Sequence, residues 1–518
     1  MASLTDSQRR AVDSAAPALC IIAGAGSGKT RVLTLRAAKR IREGSADADH
    51  TVICTFTRKA AHELRHRLGR YGVTVSTPAP PGGAPGPGVR AGTLHQLALT
   101  LLRRQALDQR SPPPVVAEHR YRMLTGLIGD PATASAVDAE IGWAKANCLT
   151  PESYGPAAEL VGRPVMLSVD QVVAVFGEYQ ALLDRKRVVD LDDVLLRAAD
   201  LVLEDAGFAE RAHWRYRHFS VDEFQDVNPA QFRLIMALLG ERRDLCAVGD
   251  PNQAIYGWNG ADPRLLHRLP ELVPGMEVVR LDDNHRSTPQ VVAAATAALG
   301  PSVAVLPRSV ETDGPMPVVT AYDDDTAEAE GVAALLAGRA ADGMRWSDQA
   351  VLARTHDQLA VVRRALTRAG IPHRTAPGPE ASTPTGGASA SGPGGGPGRR
   401  PPGEDSVELA TFHRAKGLEW SSVMVVGLED GFVPIVYAES GPAREEERRL
   451  LYVALTRAST ELFCSWSRAR STGQGRRVER QPSPWLAAVA RVSRTGPVRL
   501  TPRDAGRRIA EIRAALGS

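Results

Sequence analysis

Leu19-Cys20-Ile21-Ile22-Ala23-Gly24-Ala25-Gly26-Ser27-Gly28-Lys29-Thr30 is the stretch whose reading decides the fold. Five residues form a strand-like apolar run, small residues follow, and Lys29-Thr30 opens a helical stretch at Arg31. Strand, glycine-rich turn and helix in that order make a phosphate loop. Without bulky side chains, successive backbone N–H groups can face phosphate oxygens, Lys29 reaches the β and γ phosphates, and Thr30 can hold Mg²⁺. Ala23 stands where the strict pattern has Gly. A glycine-rich turn without a ligand would not need Lys-Thr at this point.

Outward from the loop, short runs rich in Val, Ile and Leu recur between helical stretches. The first set is Leu19–Ala23, Thr51–Phe56, Phe219–Val221 and Leu245–Gly249. The second is Val318–Tyr322, Ala350–Arg354, Val407–Thr411 and Val423–Val426. Strands alternating with helices predict parallel sheets covered on both faces, so the fold class is α/β with two lobes. Helical periods such as Val172–Leu183 predict an all-helical insertion over 97–190. The first lobe is then 1–96 with 191–287, and the second is 288–375 with 406–490. Residues 376–405 are Gly, Pro, Ser and Ala with little to bury, the composition of a disordered tether. Residues 491–518 form a tail in which Asp504–Leu516 has the pattern of a basic amphipathic helix.

At 518 residues with 43% hydrophobic and 24% charged side chains, the chain can fill the cores of several domains. A net charge of +4 is compatible with nucleic acid without arguing for it. Only six lysines occur; Lys29 lies in the phosphate loop, Lys59 in Thr55–Ala61 and Lys416 in His413–Glu419. Arg serves elsewhere, so these positions call for a compact ammonium. The five cysteines lack C-x-x-C or metal-ligand spacing and read as buried small hydrophobes in a reducing cytoplasm. No export signal pattern or membrane-length apolar run is present.

A second strand ends in Val221-Asp222-Glu223-Phe224-Gln225-Asp226. Asp222 suits a Mg²⁺-associated group and Glu223 a group that polarises attacking water. A third gives Gly249-Asp250-Pro251-Asn252-Gln253-Ala254-Ile255-Tyr256-Gly257-Trp258. Gln253 can sense a γ-phosphate, and Tyr256 and Trp258 can stack bases, a contact indifferent to sequence. Core packing is the competing role for these two rings.

In the order Leu4–Gln8, Ala23–Thr30, Thr55–Ala61, Gly92–His95, Val221–Asp226, Gly249–Trp258, Asn284–Ser287, His413–Glu419 and Glu446–Ala458, the chain resembles superfamily 1 helicases of the UvrD, PcrA and Rep type. The resemblance implies two RecA-like lobes that share ATP and Mg²⁺, and a track for single-stranded DNA and duplex junctions. It gives Gln8 to the adenine edge and His285 to the position beside the adenine. Glu419 falls near the sugar, with Arg31 beside the phosphate loop. Arg286 and Arg457 would reach the γ-phosphate from opposite sides of a cleft. Phe56, Tyr256 and Trp258 would stack bases, with Thr57, Thr93, His95 and His413 along the DNA backbone.

Four departures stand out. His285 replaces the family's usual Tyr, and Asn259 follows Trp258 where Arg is common. The 376–405 tether occupies the place of a large inserted domain, and Arg468–Gly475 lacks the aromatic of a strand-separating hairpin tip. The expectation is an ATP-dependent translocase and helicase acting 3′ to 5′ in DNA repair or replication restart. The alternatives are a translocase that strips proteins from DNA and an ATP-gated binding module. No carboxylate-rich nuclease segment follows Ala458. Protein partners and oligomeric state are not legible, and a monomer suffices for the scheme.

Overall fold

The computed structural model describes residues 4–77, 86–117, 119–163, 167–300, 303, 305–375, 405–471 and 476–495. Contacts divide the chain into two compact units. One comprises residues 1–23 and 28–281, and the other residues 24–27 and 282–518.

The first unit is built on a sheet of six parallel strands, in the order Arg90–Thr93, Thr51–Thr55, His218–Val221, Leu245–Gly249, Leu19–Ala23 and Glu277–Leu281. The three strands Thr51–Thr55, Leu245–Gly249 and Leu19–Ala23 are buried along their whole length. Their continuous apolar character therefore follows from having both faces covered. Helices Lys29–Arg42 and Arg58–Arg70 pack through Val32, Leu33, Leu64 and Leu68 onto Leu19, Ile21, Ile53 and Val248.

All four strands expected in this unit are present, with ends shifted by at most one residue. Arg90–Thr93 and Glu277–Leu281 had not been expected. Both lie at sheet edges, where only partial cover is needed, and Arg90-Ala91-Gly92-Thr93 has almost no apolar side chain to announce it.

Between them the chain forms helices Arg120–Ile128, Pro131–Ala146, Pro151–Leu160 and Val169–Lys186 around Leu124, Val137, Ile141, Tyr154, Phe176 and Leu183. The region expected to be wholly helical also carries one small parallel pairing, Val115–Val116 with Val188–Val189. Two-residue strands leave no period for a sequence reading to detect. Lys145 is buried in this region and ion-paired at 2.8 Å with both Asp190 and Asp193. It ties the inserted helices to helix Leu191–Glu204, which Asp190 caps.

The second unit has seven parallel strands, in the order His373–Thr375, Val407–Thr411, Gln349–Ala353, Trp420–Val425, Ala458–Ser467, Val318–Tyr322 and Arg494–Thr495. Helices Asp325–Ala341 and His356–Ala369 cover one cluster of its core around Leu336, Val351, Leu366, Leu409 and Met424. Ala458–Ser467 was missed because Thr460, Glu461 and Ser465 interrupt its apolar run. Strands Ala469–Ser471 and Arg477–Glu479 pair antiparallel as the two arms of the expected hairpin. Its tip at 472–475, the tether at 376–404 and the tail helix at 504–516 lie outside the described residues. No helix among the described residues is long and apolar enough to cross a membrane.

Candidate functional site

Three adjacent strands of the first sheet deliver the central groups from their carboxyl ends, where open parallel sheets place ligands. Leu19–Ala23 leads into the phosphate loop, His218–Val221 into Asp222 and Glu223, and Leu245–Gly249 into Asp250 and Gln253. Gly28 precedes helix Lys29–Arg42 with φ 78°, a left-handed conformation that an L side chain resists. No side chain caps that helix, so its first turn faces the loop with backbone N–H groups and the positive end of its dipole. Arg31 lies in the same turn, and Ala23 closes the buried strand.

Hydrogen bonds join the acidic groups into one network. Thr30 Oγ1 donates to Asp222 Oδ2 at 2.8 Å. The Glu223 N–H donates to Asp222 Oδ1 at 3.0 Å, and Gln225 Nε2 donates to Glu223 Oε2 at 2.6 Å. The Gln225 side-chain carbonyl in turn accepts from the Asp250 N–H at 2.9 Å. Asp250 Oδ2 accepts from Gln253 Nε2 at 2.5 Å and lies 3.6 Å from Lys29 Nζ. Glu223 adopts φ 55°, a strained conformation for a residue with a side chain, and such strain concentrates at functional sites.

Burial, reinforced by Glu223, pushes the Asp222 carboxyl up to about 7, against the pull of Thr30 and Lys29. Burial also raises Asp250, with Lys29 opposing. The pair Thr30–Asp222 thus offers a hydroxyl and a carboxylate to a cation, whose charge would replace the proton that burial favours. This donor set fits Mg²⁺, which takes one or two carboxylates and completes its shell with phosphates and water.

Gln8 is buried in helix Asp6–Asp13, where Thr5 and Gln8 form a reciprocal cap. Its Nε2 lies against Gly28; a Cβ there would come within 3.2 Å of it. Gln8 therefore sits beside the phosphate loop.

In the second unit, Asn284 organises the segment carrying His285 and Arg286. Its Nδ2 donates to the Ala25 carbonyl at 2.8 Å, and its Oδ1 accepts from the N–H groups of Arg286 at 2.9 Å and Ser287 at 2.8 Å. The His285 N–H donates to the Gly26 carbonyl at 2.9 Å. A Cβ at Gly26 would meet the Asn284 amide at 2.8 Å, so Gly is required there by space as well as by its φ of 70°. Ser27 is buried and donates to the Gly24 carbonyl at 2.8 Å.

Arg286 Nε donates to Glu419 at 2.6 Å, so these two expected site residues engage each other. Arg457 is 1% exposed and donates to the carbonyls of Val453 at 2.9 Å and Leu418 at 3.1 Å. Asp250, Gln225 and Asn284 are the members that the sequence reading left without a role. All three lie inside the sequence motifs, and each also bonds to a distant segment: Asn284 to Ala25, Gln225 to Asp250, and Asp250 to Lys29.

The expected DNA residues of the first unit follow the same carboxyl edge. Phe56 and Thr57 follow Thr51–Thr55, and Thr93 and His95 follow Arg90–Thr93. Thr57 caps helix Arg58–Arg70 and is exposed, whereas Thr93 is buried as the cap of Leu94–Asp108. Tyr256 is half-buried and Trp258 is 57% exposed, which excludes a core role for the tryptophan ring. Burial lowers the pKa of His95, with Asp192 opposing. In the second unit, burial together with Arg354 and Lys416 holds His413 at about 4, so it is a neutral hydrogen-bonding group near pH 7.

The family model for the UvrD/REP helicase N-terminal domain matches residues 4–274, and that for the UvrD-like helicase C-terminal domain matches residues 399–469. The chain is 35% identical to the ATP-dependent DNA helicase UvrD2 of Mycobacterium tuberculosis, over 96% of its own length and 83% of that protein. DNA helicase II of Escherichia coli is 33% identical over 72% of the chain and 51% of its own length. The E. coli ATP-dependent DNA helicase Rep is 30% identical over 72% of the chain and 55% of its own length.

Proposed function

The chain belongs to the UvrD/Rep helicase family and is an ATP-dependent DNA helicase of that type; on that premise we propose that it moves 3′ to 5′ along single-stranded DNA in DNA repair or replication restart. What supports ATP hydrolysis as the drive of this movement is the network from Thr30 through Asp222, Glu223, Gln225 and Asp250 to Lys29 and Gln253. It gathers, at one edge of one sheet, the groups that phosphoryl transfer to water requires.

In this reading Thr30 and Asp222 would hold Mg²⁺, whose charge would offset that of the substrate phosphates. Lys29 leaves Asp250 for the phosphate oxygens, and the backbone of Gly24–Gly28 cradles the chain of phosphates, with Ala23 and Arg31 flanking them. Glu223 accepts a proton from the attacking water, and Gln253 registers whether the last phosphate is present. Gln8 and His285 recognise the adenine, and Glu419 the sugar. Arg286 and Arg457 stabilise the charge that grows in the transition state. Each must first give up its present protein acceptors, which makes hydrolysis responsive to conformation.

Phe56, Tyr256 and Trp258 stack bases, while Thr57, Thr93, His95 and His413 face the DNA backbone. The working setting is the cytoplasm. The hairpin sequence Arg468–Gly475 has no aromatic, which favours walking and protein displacement over active strand separation as the main output. Duplexes with a 3′ tail, a 5′ tail or no tail test the polarity. Unwinding confined to the 3′-tailed duplex is expected, and preference for the 5′ tail would overturn the polarity.

A further inference from the structure

Two sets of first-unit residues assigned to DNA leave the sheet from strands that do not touch. Thr93 and His95 follow strand Arg90–Thr93, Tyr256 and Trp258 follow Leu245–Gly249, and two strands stand between them. At about 4.8 Å per strand their exits are roughly 14 Å apart, so no ladder hydrogen bond sets one against the other. The inserted helices bridge that gap.

On the aromatic side the contact is close. The turn is tight in itself: the N–H groups of Asn259 and Ala261 donate to the Tyr256 carbonyl at 3.0 and 3.1 Å, and that of Gly260 donates to the Gly257 carbonyl at 3.0 Å. It therefore shifts as one piece. The turn packs against the carboxyl end of helix Pro131–Ala146. At Gly260, with φ 85°, a Cβ would stand 2.6 Å from the Ala146 Cβ and 3.3 Å from Asn147 Nδ2, so glycine is required there by space as well as by conformation.

Lys145, beside Ala146 on that helix, is buried and donates to Asp190 Oδ2 and Asp193 Oδ1 at 2.8 Å each. Asp190 also accepts from the Tyr179 hydroxyl at 3.0 Å and caps helix Leu191–Glu204 through the Asp193 N–H at 2.8 Å. Arg120 extends the cluster to Asp138 and Asp192, each at 2.5 Å. Helix Leu191–Glu204 packs along helix Leu94–Asp108, whose first turn carries His95, and the Asp192 carboxylate acts on His95 electrostatically. One set of charges thus joins the seat of the aromatic turn to the His95 segment. Stability alone needs no such arrangement, because apolar packing of equal volume often matches or surpasses a buried ion pair. A chain that uses Arg almost everywhere keeps Lys here, where a compact ammonium fits between two carboxylates.

We propose that Lys145 is a positioning residue for DNA: it clamps the end of helix Pro131–Ala146 that seats the Tyr256–Trp258 turn, so the inserted helices set where these rings stand relative to His95. The inference rests on the DNA reading above and gives the helical insertion a part in it. Neither Lys145 nor Gly260 touches the strand; each acts through the turn.

ATP hydrolysis titrated with oligo(dT) tests it, read as the strand concentration for half-maximal stimulation and, separately, as turnover without DNA. Gly260→Ala should raise that concentration about tenfold, the loss of one stacked base, and leave turnover without DNA within about twofold. Ala146→Gly in the same chain removes the opposing Cβ and should bring the concentration back to within about threefold of the wild type. Lys145→Met should act in the same direction as Gly260→Ala. It leaves two buried carboxylates facing each other, so if it does not fold, the size swap at Gly260 and Ala146 decides alone. An unchanged strand requirement in Gly260→Ala, or in folded Lys145→Met, would overturn the inference. So would an equal loss of turnover without DNA, which marks a general structural role, or a failure of Ala146→Gly to restore Gly260→Ala. If Trp258→Ala raises the strand requirement while Gly260→Ala and Lys145→Met do not, the positioning role fails and the DNA reading stands. If oligo(dT) does not stimulate the wild-type chain, the DNA reading itself fails.

Discussion

The two parallel sheets present chemically different carboxyl edges. That of the first unit ends in the phosphate loop, Asp222, Glu223, Asp250 and Gln253, joined by short hydrogen bonds and mostly buried. That of the second ends in Arg354 and His413, while its expected nucleotide residues Arg286 and Arg457 are bonded to Glu419 and to backbone carbonyls. The same sheet architecture carries a preassembled acidic centre in one unit and, in the other, arginines each engaged by a carboxylate or by backbone carbonyls. A parallel sheet fixes where loops emerge, and loop chemistry decides what is done there.

The largest effect should come from the second unit. Arg286→Ala is expected to lower kcat for ATP hydrolysis by about 10³–10⁵-fold, the range for an arginine that stabilises phosphoryl transfer. A loss under tenfold would confine the chemistry to the first unit and break the comparison. Glu223→Gln should lower single-turnover hydrolysis by about 10²–10⁴-fold with little effect on nucleotide binding. Parallel losses of binding and rate would recast Glu223 as a structural residue.

A smaller effect should separate the DNA rings from the acidic centre. Trp258→Ala should raise the DNA concentration for half-maximal stimulation about tenfold while altering turnover without DNA much less. Equal losses in both would contradict a stacking role.

The smallest effect concerns stability. His413 titrates near 4 in the folded chain and near 6.5 when unfolded. As pH falls, the unfolded chain takes up this proton first, so the folded state loses stability between about pH 6.5 and 4. His413→Gln should remove on the order of 1–2 kcal/mol of that loss, measurable by denaturant titration at pH 7 and pH 5. An unchanged pH dependence would mean that His413 is better solvated than its burial implies.

The fold was legible where burial is complete. Leu19–Ala23, Leu245–Gly249 and Val407–Thr411 stand in the structure with the bounds read from their apolar runs, because both faces of each are covered. Arg90–Thr93 and Ala458–Ser467 were hidden, since a strand that is short or half-polar has no signature of its own. At the site, the motifs singled out Lys29, Thr30, Asp222, Glu223 and Gln253, which the structure brings into one network. Their connections were not legible. Gln225 bridges Glu223 to Asp250 only because His218–Val221 and Leu245–Gly249 are adjacent, and Lys29 meets Asp250 only because Leu245–Gly249 and Leu19–Ala23 are. The pairing of Arg286 with Glu419 spans 133 positions of chain, and no local pattern encodes it.

The central claim is that ATP hydrolysis in this chain drives directional movement along single-stranded DNA. Stopped-flow arrival at a fluorophore on the 5′ or the 3′ end of oligo(dT) strands of increasing length tests it most directly. The account predicts an ATP-dependent lag that grows with strand length for the 5′ label and is absent for the 3′ label. A lag independent of length at both ends, or hydrolysis unchanged by the strand, would contradict it.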